Sequence, residues 1–305
     1  MSTETAMVND RKEIFGWAMY DWANSAFSTT VGTVFLGPYV ASLARTAAEA
    51  AGTATVPFLG IPVAPDSFIP YCISFSVGMQ VLFLPILGAI ADYSHLRKRM
   101  MQIFATLGAL ATILMFLVTG GLWWLGGVLF IVANLAFGAA IVFYNAYLPN
   151  IASEDERDRV SSYGWAMGYL GGGVLLALNL AFFTFSDALG VPGDLAVRIN
   201  LASAGFWWLG FSFLTWKRLR PRHAARQLPA GETYASIGFK QLRKTISEVK
   251  HFPETIRFLI AYFLYNDGIQ TVIAVASTFA AAPLIQGGLE LEQQTLIAVI
   301  LMIQF

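Results

Sequence analysis

The sequence predicts an all-α protein, a polytopic membrane helix bundle, on three observations. Hydrophobic residues make up 56% of the 305 and charged residues only 12%, about half the charged share of an ordinary soluble protein. Uncharged runs of bilayer-spanning length recur along the chain. The basic residues between those runs alternate, crowding into every second loop. A mean hydropathy of +0.60 means more apolar surface than a globule of this size can hide within itself. A net charge of zero argues against a nucleic-acid binder. The single cysteine, Cys72, excludes an internal disulfide framework and Cys-based zinc or iron–sulfur sites.

The N-terminal stretch from Met1 to Phe15 is charged and has no apolar core, so it does not read as a cleaved signal peptide. The first span then serves as its own insertion signal. The uncharged runs are Trp22 to Ala44, Ser67 to Ala91, Met100 to Ser153, Val160 to Ser186, Ile199 to Trp216 and Gly268 to Leu289. The third is long enough for two helices and divides at Gly120-Gly121, where adjacent glycines allow a tight turn. Seven complete spans result. An eighth begins near Gln293 and reaches Phe305 in mid-helix, so the chain is expected to be a truncated form of a longer protein.

With the N-terminus in the cytoplasm, every Lys and Arg except Arg45 and Arg198 lies inside, which fixes the expected orientation. The protein is expected to be integral to a plasma or inner membrane. The longest inner loop runs from Lys217 to Arg257. Within it Phe239, Leu242, Ile246 and Val249 recur at steps of three and four with Lys240, Arg243, Lys244 and Lys250 between them. That pattern fits either a helix lying on an anionic leaflet or a solvated linker helix.

The three histidines, His95, His223 and His251, all fall in predicted cytoplasmic segments, so a membrane metalloprotease is excluded. No P-loop motif occurs and the loops are too short for a nucleotide-binding domain. No span is Arg-rich enough to sense voltage, and no loop resembles an ion filter. A secondary transporter or a non-catalytic membrane protein remains. No enzyme activity, cofactor or metal is called for.

An Asp at the centre of a membrane helix costs roughly 2.5–3.5 kcal/mol on insertion scales, so it needs a reason. Asp21 lies within the first helix, in Gly16-Trp17-Ala18-Met19-Tyr20-Asp21-Trp22-Ala23-Asn24-Ser25. Asp267 lies about as deep in the seventh, in Tyr262-Phe263-Leu264-Tyr265-Asn266-Asp267-Gly268-Ile269-Gln270-Thr271. Each has an Arg ten residues upstream, Arg11 or Arg257, and an amide three residues on, Asn24 or Gln270, on the same helical face. Matched helices at the openings of two repeated halves point to a transporter whose site lies between the halves. The alternative is that each Asp only caps a helix end or pairs with a nearby base.

Gln80, Asn134, Asn145 and Asn179 are further intramembrane amides, read as glue between helices. Gly164, Gly168 and Gly172 recur every four residues, with Gly171 and Gly173 beside them, which suits close approach by another helix or a gating slide. Between spans two and three, Asp92 is followed by Arg97, Lys98 and Arg99, an arrangement that can form an ion-paired latch.

That segment, Gly88 to Arg99, resembles the loop motif between helices two and three of the major facilitator superfamily, with Tyr93, His95 and Leu96 departing from its pattern. Trp17 to Ser25, Tyr144-Asn145-Ala146-Tyr147-Leu148-Pro149, Ser161 to Gly173 and Tyr262 to Thr271 resemble signature segments of its autophagy-linked vacuolar amino-acid effluxer family, which has many bacterial relatives. Gly168-Tyr169-Leu170-Gly171-Gly172-Gly173 is similar to the fifth-helix antiporter motif, with Tyr169 in place of proline. The resemblance implies twelve helices in two bundles, alternating access and amino-acid export. Residues 1–216 would form the N-terminal six-helix bundle, 217–255 a cytoplasmic basic linker and 256–305 an incomplete second bundle.

The expected function is thus secondary transport of amino acids or similar small polar metabolites, coupled to protons if gradient-driven. The expected partners are that solute and the bilayer; the oligomeric state is not encoded legibly. Trp17, Tyr20, Asp21, Asn24, Tyr265, Asn266, Asp267 and Gln270 are the candidate substrate and coupling residues. Asp92, Arg97 to Arg99, Gly164, Gly168 and Gly172 are the candidate gating and packing residues. Two alternatives stand beside this: a sensor or assembly protein that does not transport, and a drug-like or lipid-like substrate lined by Trp17, Tyr20, Trp22, Tyr144 and Tyr265.

Overall fold

The computed structural model describes residues 8–222, 227–229, 231–282 and 289–304, so His223 and Phe305 lie outside the described residues. The first helix begins at α1 (Arg11–Ala26), capped by the Asp10 carboxylate, which accepts from the Lys12 N–H at 2.9 Å. It passes without a break into a nine-residue π-helical segment, Phe27–Phe35, and on into α2 (Leu36–Ala50). The continuous stretch Arg11–Ala50 is 40 residues, longer than a bilayer needs. Its far end meets a hairpin that the sequence reading missed, β1 (Val56–Phe58) paired with β2 (Ile61–Val63). Leu59 and Gly60 turn it with φ of 50° and 81°, the backbone of a two-residue hairpin turn.

The remaining elements are α3 (Phe68–Tyr93), α4 (Arg97–Leu114), α5 (Trp123–Asn145), the single turn α6 (Leu148–Ile151), α7 (Arg157–Thr184), α8 (Gly193–Arg218), α9 (Tyr234–Val249), α10 (Pro253–Ala281) and α11 (Gln293–Gln304). Among the described residues, five helical stretches are long and apolar enough to cross a membrane. The sequence count was seven complete spans. The other two, α8 and α10, have 26 and 29 residues, so length does not separate them. α8 carries Asn200, Ser203 and Ser212, used in hydrogen bonds to neighbouring carbonyls and to Asn179, while α10 carries Asn266, Asp267 and Gln270.

α1 is central, packed between α7 and α8, and the bundle closes through α4 against α5 and α8, and α3 against α5. The contact with α7 is made on the glycine strip. A Cβ on Gly172 would sit 2.6 Å from Thr29 Oγ1, and one on Gly168 2.8 Å from Ser25 Oγ; one on Gly171 would collide with the Trp22 backbone. Lipid tails are as apolar as leucine, so helices in a membrane associate through such packing and through polar contacts. Asn179 of α7 supplies the latter. Its Nδ2 approaches Thr30 Oγ1 at 3.4 Å, its carbonyl accepts from Asn200 and its Oδ1 from Ser203, which makes it the glue the sequence suggested.

The basic end of the bundle is tied by charge. Glu13, 2% exposed, accepts from Arg222 Nη2 at 2.7 Å and from the Arg220 N–H at 3.0 Å. Arg220 also pairs with Asp10 at 2.8 Å, and Lys98 donates to the Leu219 carbonyl at 2.6 Å. The chain leaving α8 is therefore strapped onto the start of α1. Asp92, by contrast, makes no ion pair among the described residues. The buried Arg97 donates instead to the Ala91 carbonyl and, at 2.5 Å, to Asn150 Oδ1, while Arg99 is exposed. The Asp92-based latch is therefore replaced by an Arg97 strap: the guanidinium reaches the Ala91 carbonyl near the end of α3 and, at 3.4 Å, the Ala146 carbonyl just past α5, helix-end groups left without helical partners.

α9 packs against the bundle. Thr233 and Ser236 form a capping box, and hydrogen bonds from Ser236 and Lys240 hold the Glu232 carboxyl below its usual range. The helix docks on α3: Gly238 lies against the Pro85 carbonyl, which a Cβ would approach to 2.5 Å, and Gln241 donates to the Tyr93 hydroxyl at 2.6 Å. Phe239, Leu242 and Ile246 stay exposed.

Two expected outcomes follow. Gly171→Leu or Gly168→Leu should destabilise the bundle by about 3 kcal/mol, read as lower folded yield and an earlier thermal transition in detergent. Gly121→Leu should be mild, because nothing lies within 4 Å of it; Gly120 is a poorer control because its φ of 47° strains any side chain. Glu13→Ala should cost about 3–5 kcal/mol by stranding Arg222. The Glu13→Ala/Arg222→Ala double variant should lose much less than the sum of the two single losses.

Candidate functional site

Asp21 sits ten residues into α1, about 15 Å along the helix. Three helices meet around it. Tyr144, near the end of α5, donates its hydroxyl proton to Asp21 Oδ2 at 2.7 Å. Its ring stacks on Trp17 with centroids 4.3 Å apart and planes 8° from parallel, and Trp17 Nε1 donates to the Tyr144 carbonyl at 3.0 Å. Tyr20 tilts against the same ring at 5.2 Å. Gly164 of α7 makes the room: its Cβ would lie 2.8 Å from the Trp17 ring, 2.9 Å from Asp21 Oδ2 and 3.0 Å from Tyr144 Oη.

The charge balance of this site is its main feature. No Lys or Arg forms an ion pair with Asp21 among the described residues; the Tyr144 phenol and the Asn24 amide are the donors beside it. A carboxylate away from bulk water is stable only when paired with a cation, hydrogen-bonded or protonated. The arrangement can therefore hold a proton, or a cationic group of a solute, next to a fixed hydrogen-bond donor. Asn24 lies one turn on, 2% exposed, with its side-chain amide directed at the carboxyl. Tyr20 Oη and Trp208 Nε1, both on fully buried residues, face each other across the core.

Trp17, Tyr20, Asp21 and Asn24 are thus brought together with Gly164 and Gly168. The second quartet is not. Tyr265, Asp267 and Gln270 are exposed and Asn266 is half-buried on α10, which packs on α2 and the π-helical segment rather than beside Asp21. α10 finds few neighbours among the described residues, so most of its length stays uncovered. Tyr144 was singled out from sequence only as a motif member and an aromatic wall. Its partnership with Asp21 spans 123 positions and leaves no local pattern to read.

Removing the phenol donor should expose its part. Tyr144→Phe retains the stack on Trp17 but not the hydrogen bond, so expression should persist while the folded bundle loses about 1–1.5 kcal/mol. An earlier thermal transition in detergent than that of the unaltered chain checks this.

A bundle of long apolar helices around a carboxyl without a basic partner among the described residues marks a multipass integral membrane protein, and its similarity to known proteins places it in the major facilitator type. A family model described as "Vacuole effluxer Atg22 like" matches residues 9–305, and the chain belongs to that family. It is 26% identical over 272 residues to an uncharacterised MFS-type transporter, YxiO, of Bacillus subtilis, covering 88% of this chain and 60% of the relative. It is 24% identical over 376 residues to autophagy-related protein 22-1 of Penicillium rubens, covering 90% and 63%. The protein named autophagy-related protein 22 in Coccidioides immitis is 26% identical over 397 residues, covering 98% and 64%. The chain thus spans about three-fifths of the length of these relatives.

Proposed function

We propose that this chain belongs to a secondary transporter that exports amino acids or similar small amine-bearing metabolites by alternating access. Asp21 is the acid that carries the proton or the solute ammonium. The observation that carries the reading is the Asp21–Tyr144 pair, 2.7 Å apart, a carboxyl with hydrogen-bond donors but no Lys or Arg partner among the described residues, held in the gap that Gly164 leaves. The buried carboxyl of Glu13, by contrast, is paired with Arg222 in this same molecule. In this reading residues 1–216 form one six-helix half, 217–255 a cytoplasmic linker and 256–305 the opening of the second half, whose Asp267 and Gln270 complete the site in another state of the cycle. The basic end faces the cytoplasm, in keeping with the distribution of Lys and Arg. The family's effluxer description favours export over import.

Alternating access supplies the coupling. A solute ammonium and a proton compete for one carboxyl, so a gradient of either drives the other when the site is open to one side at a time. The test is uptake of a radiolabelled neutral amino acid into proteoliposomes under an imposed proton gradient. Asp21→Asn preserves size and hydrogen bonding but cannot titrate. It should abolish gradient-driven accumulation while leaving expression and thermal stability intact. Transport by Asp21→Asn at unaltered rate and pH dependence would make the acid structural, and no transport of any amino acid by the unaltered protein would remove the substrate assignment.

A further inference from the structure

A second polar feature lies outside the Asp21 site. α3 and α5 frame a groove of about 410 Å³ whose wall includes Val77, Gln80, Asn134, Gly138, Ile141 and Asn145. Gln80 is twelve residues from the start of α3, and Asn134 is eleven residues from either end of α5, so both amides sit at mid-helix. On α5, Asn134, Gly138, Ile141 and Asn145 follow one another at steps of four, three and four and so share a face, whereas Tyr144 points roughly a quarter-turn away towards Asp21.

The hydrogen bonds fix which way these amides face. Ser76 gives its only hydroxyl proton to the Ile73 carbonyl at 2.8 Å, so it can only accept from Asn134, which must present its NH₂ group, at 2.8 Å. Gln80 Nε2 donates to the Asn134 backbone carbonyl at 2.9 Å, an acceptor that likewise demands an NH₂. Each amide is therefore anchored through its nitrogen. The two side-chain oxygens, Gln80 Oε1 and Asn134 Oδ1, have no hydrogen-bond partner among the described residues. Gly138 lets the Gln80 amide lie flat across α5, since a Cβ there would come within 2.7 Å of both Cδ and Oε1. Pure interhelical glue would need only the nitrogens. Leaving two anchored carbonyl oxygens bare to hydrocarbon at mid-helix is costly, so this face meets water or a donor.

We infer that the α3–α5 groove is a second polar site, lined by the acceptor oxygens of Gln80 and Asn134, that takes N–H donors of an ammonium- or amide-bearing solute from an aqueous pathway. The site goes beyond the Asp21 reading and does not require Asp21 to titrate. Its ligand class is set by the acceptors: two neutral carbonyl oxygens favour a cationic or neutral donor and disfavour an anion.

The single native cysteine makes the test direct. In a Cys72→Ala background in nanodiscs, Ile141→Cys is labelled with 2-aminoethyl methanethiosulfonate, which carries an ammonium, and with the sulfonate reagent of the same length. Rates are normalised to free cysteine. The expected result is a preference of about tenfold or more for the ammonium reagent. Adding Gln80→Leu and Asn134→Leu should collapse the preference to that of the free thiol. Gln80→Glu, which gives up the anchor on the Asn134 carbonyl but adds a negative charge to the groove, should increase it and guards against a loss caused only by misfolding. Failure of both reagents to label Ile141→Cys while the loop control Leu189→Cys reacts fully would mean the groove faces lipid and would overturn the inference. Labelling at the free-thiol ratio, or a ratio unmoved by all three substitutions, would overturn it equally. Because no transport is read, these outcomes are separate from those for Asp21.

Discussion

Backbone-to-backbone contact between α1 and α7 is the constraint on which the rest of the bundle depends. Gly171 admits the Trp22 backbone, Gly168 and Gly172 admit Ser25 and Thr29, and Gly164 leaves the gap in which the Asp21 carboxyl and the Tyr144 hydroxyl meet. In water such a contact would be driven by apolar burial. In lipid that force is absent, so small residues and close approach take its place. One glycine strip thus sets both the packing of the central helix and the room for its one costly acid.

The polar groups of the bundle divide by how they are satisfied. At the basic end Glu13, Asp10, Arg220, Arg222 and Arg97 are paired with charges or with helix-end carbonyls. Further along, Thr30, Asn179, Asn200 and Ser203 bond to one another across three helical elements. Asp21 and the pair Gln80 and Asn134 are different: Asp21 has no Lys or Arg partner, and the side-chain oxygens of Gln80 and Asn134 have no donor, among the described residues. In a medium that offers no partners, such groups need water or another polar group beside them.

The π-helical segment Phe27–Phe35 follows directly on Asp21, Asn24 and Ser25. Its wider turn shifts the helical register, so the face that α1 presents to α7 below the segment differs from the face that α2 presents above it. Hydroxyls supplement the altered ladder: Ser28 and Thr29 both donate to the Ser25 carbonyl, and Thr33 donates to Ser28. The acid therefore sits beside the point where the helix departs from regular α geometry.

Much of the architecture was legible in the sequence, because the bilayer turns composition into geometry. Span length, the turn at Gly120-Gly121, the close-packing strip from Gly164 to Gly172 and the family resemblance all rest on local patterns that lipid enforces. The membrane depth of Asp21 was equally plain, since charge is rare there. What the sequence left open depended on distant pairings. Tyr144 meets Asp21 across 123 positions, Arg97 takes the strapping part expected of Asp92, and the Gln80 and Asn134 amides are anchored through their nitrogens only once α3 lies beside α5. The hairpin at Leu59–Gly60 and the π-helical register of α1 were likewise hidden, because positive φ and a five-residue hydrogen-bond spacing carry no strong composition signal in these segments. Sequence fixes which residues are too polar for lipid. Only tertiary packing decides which of them find a protein partner and which are left to bind something else.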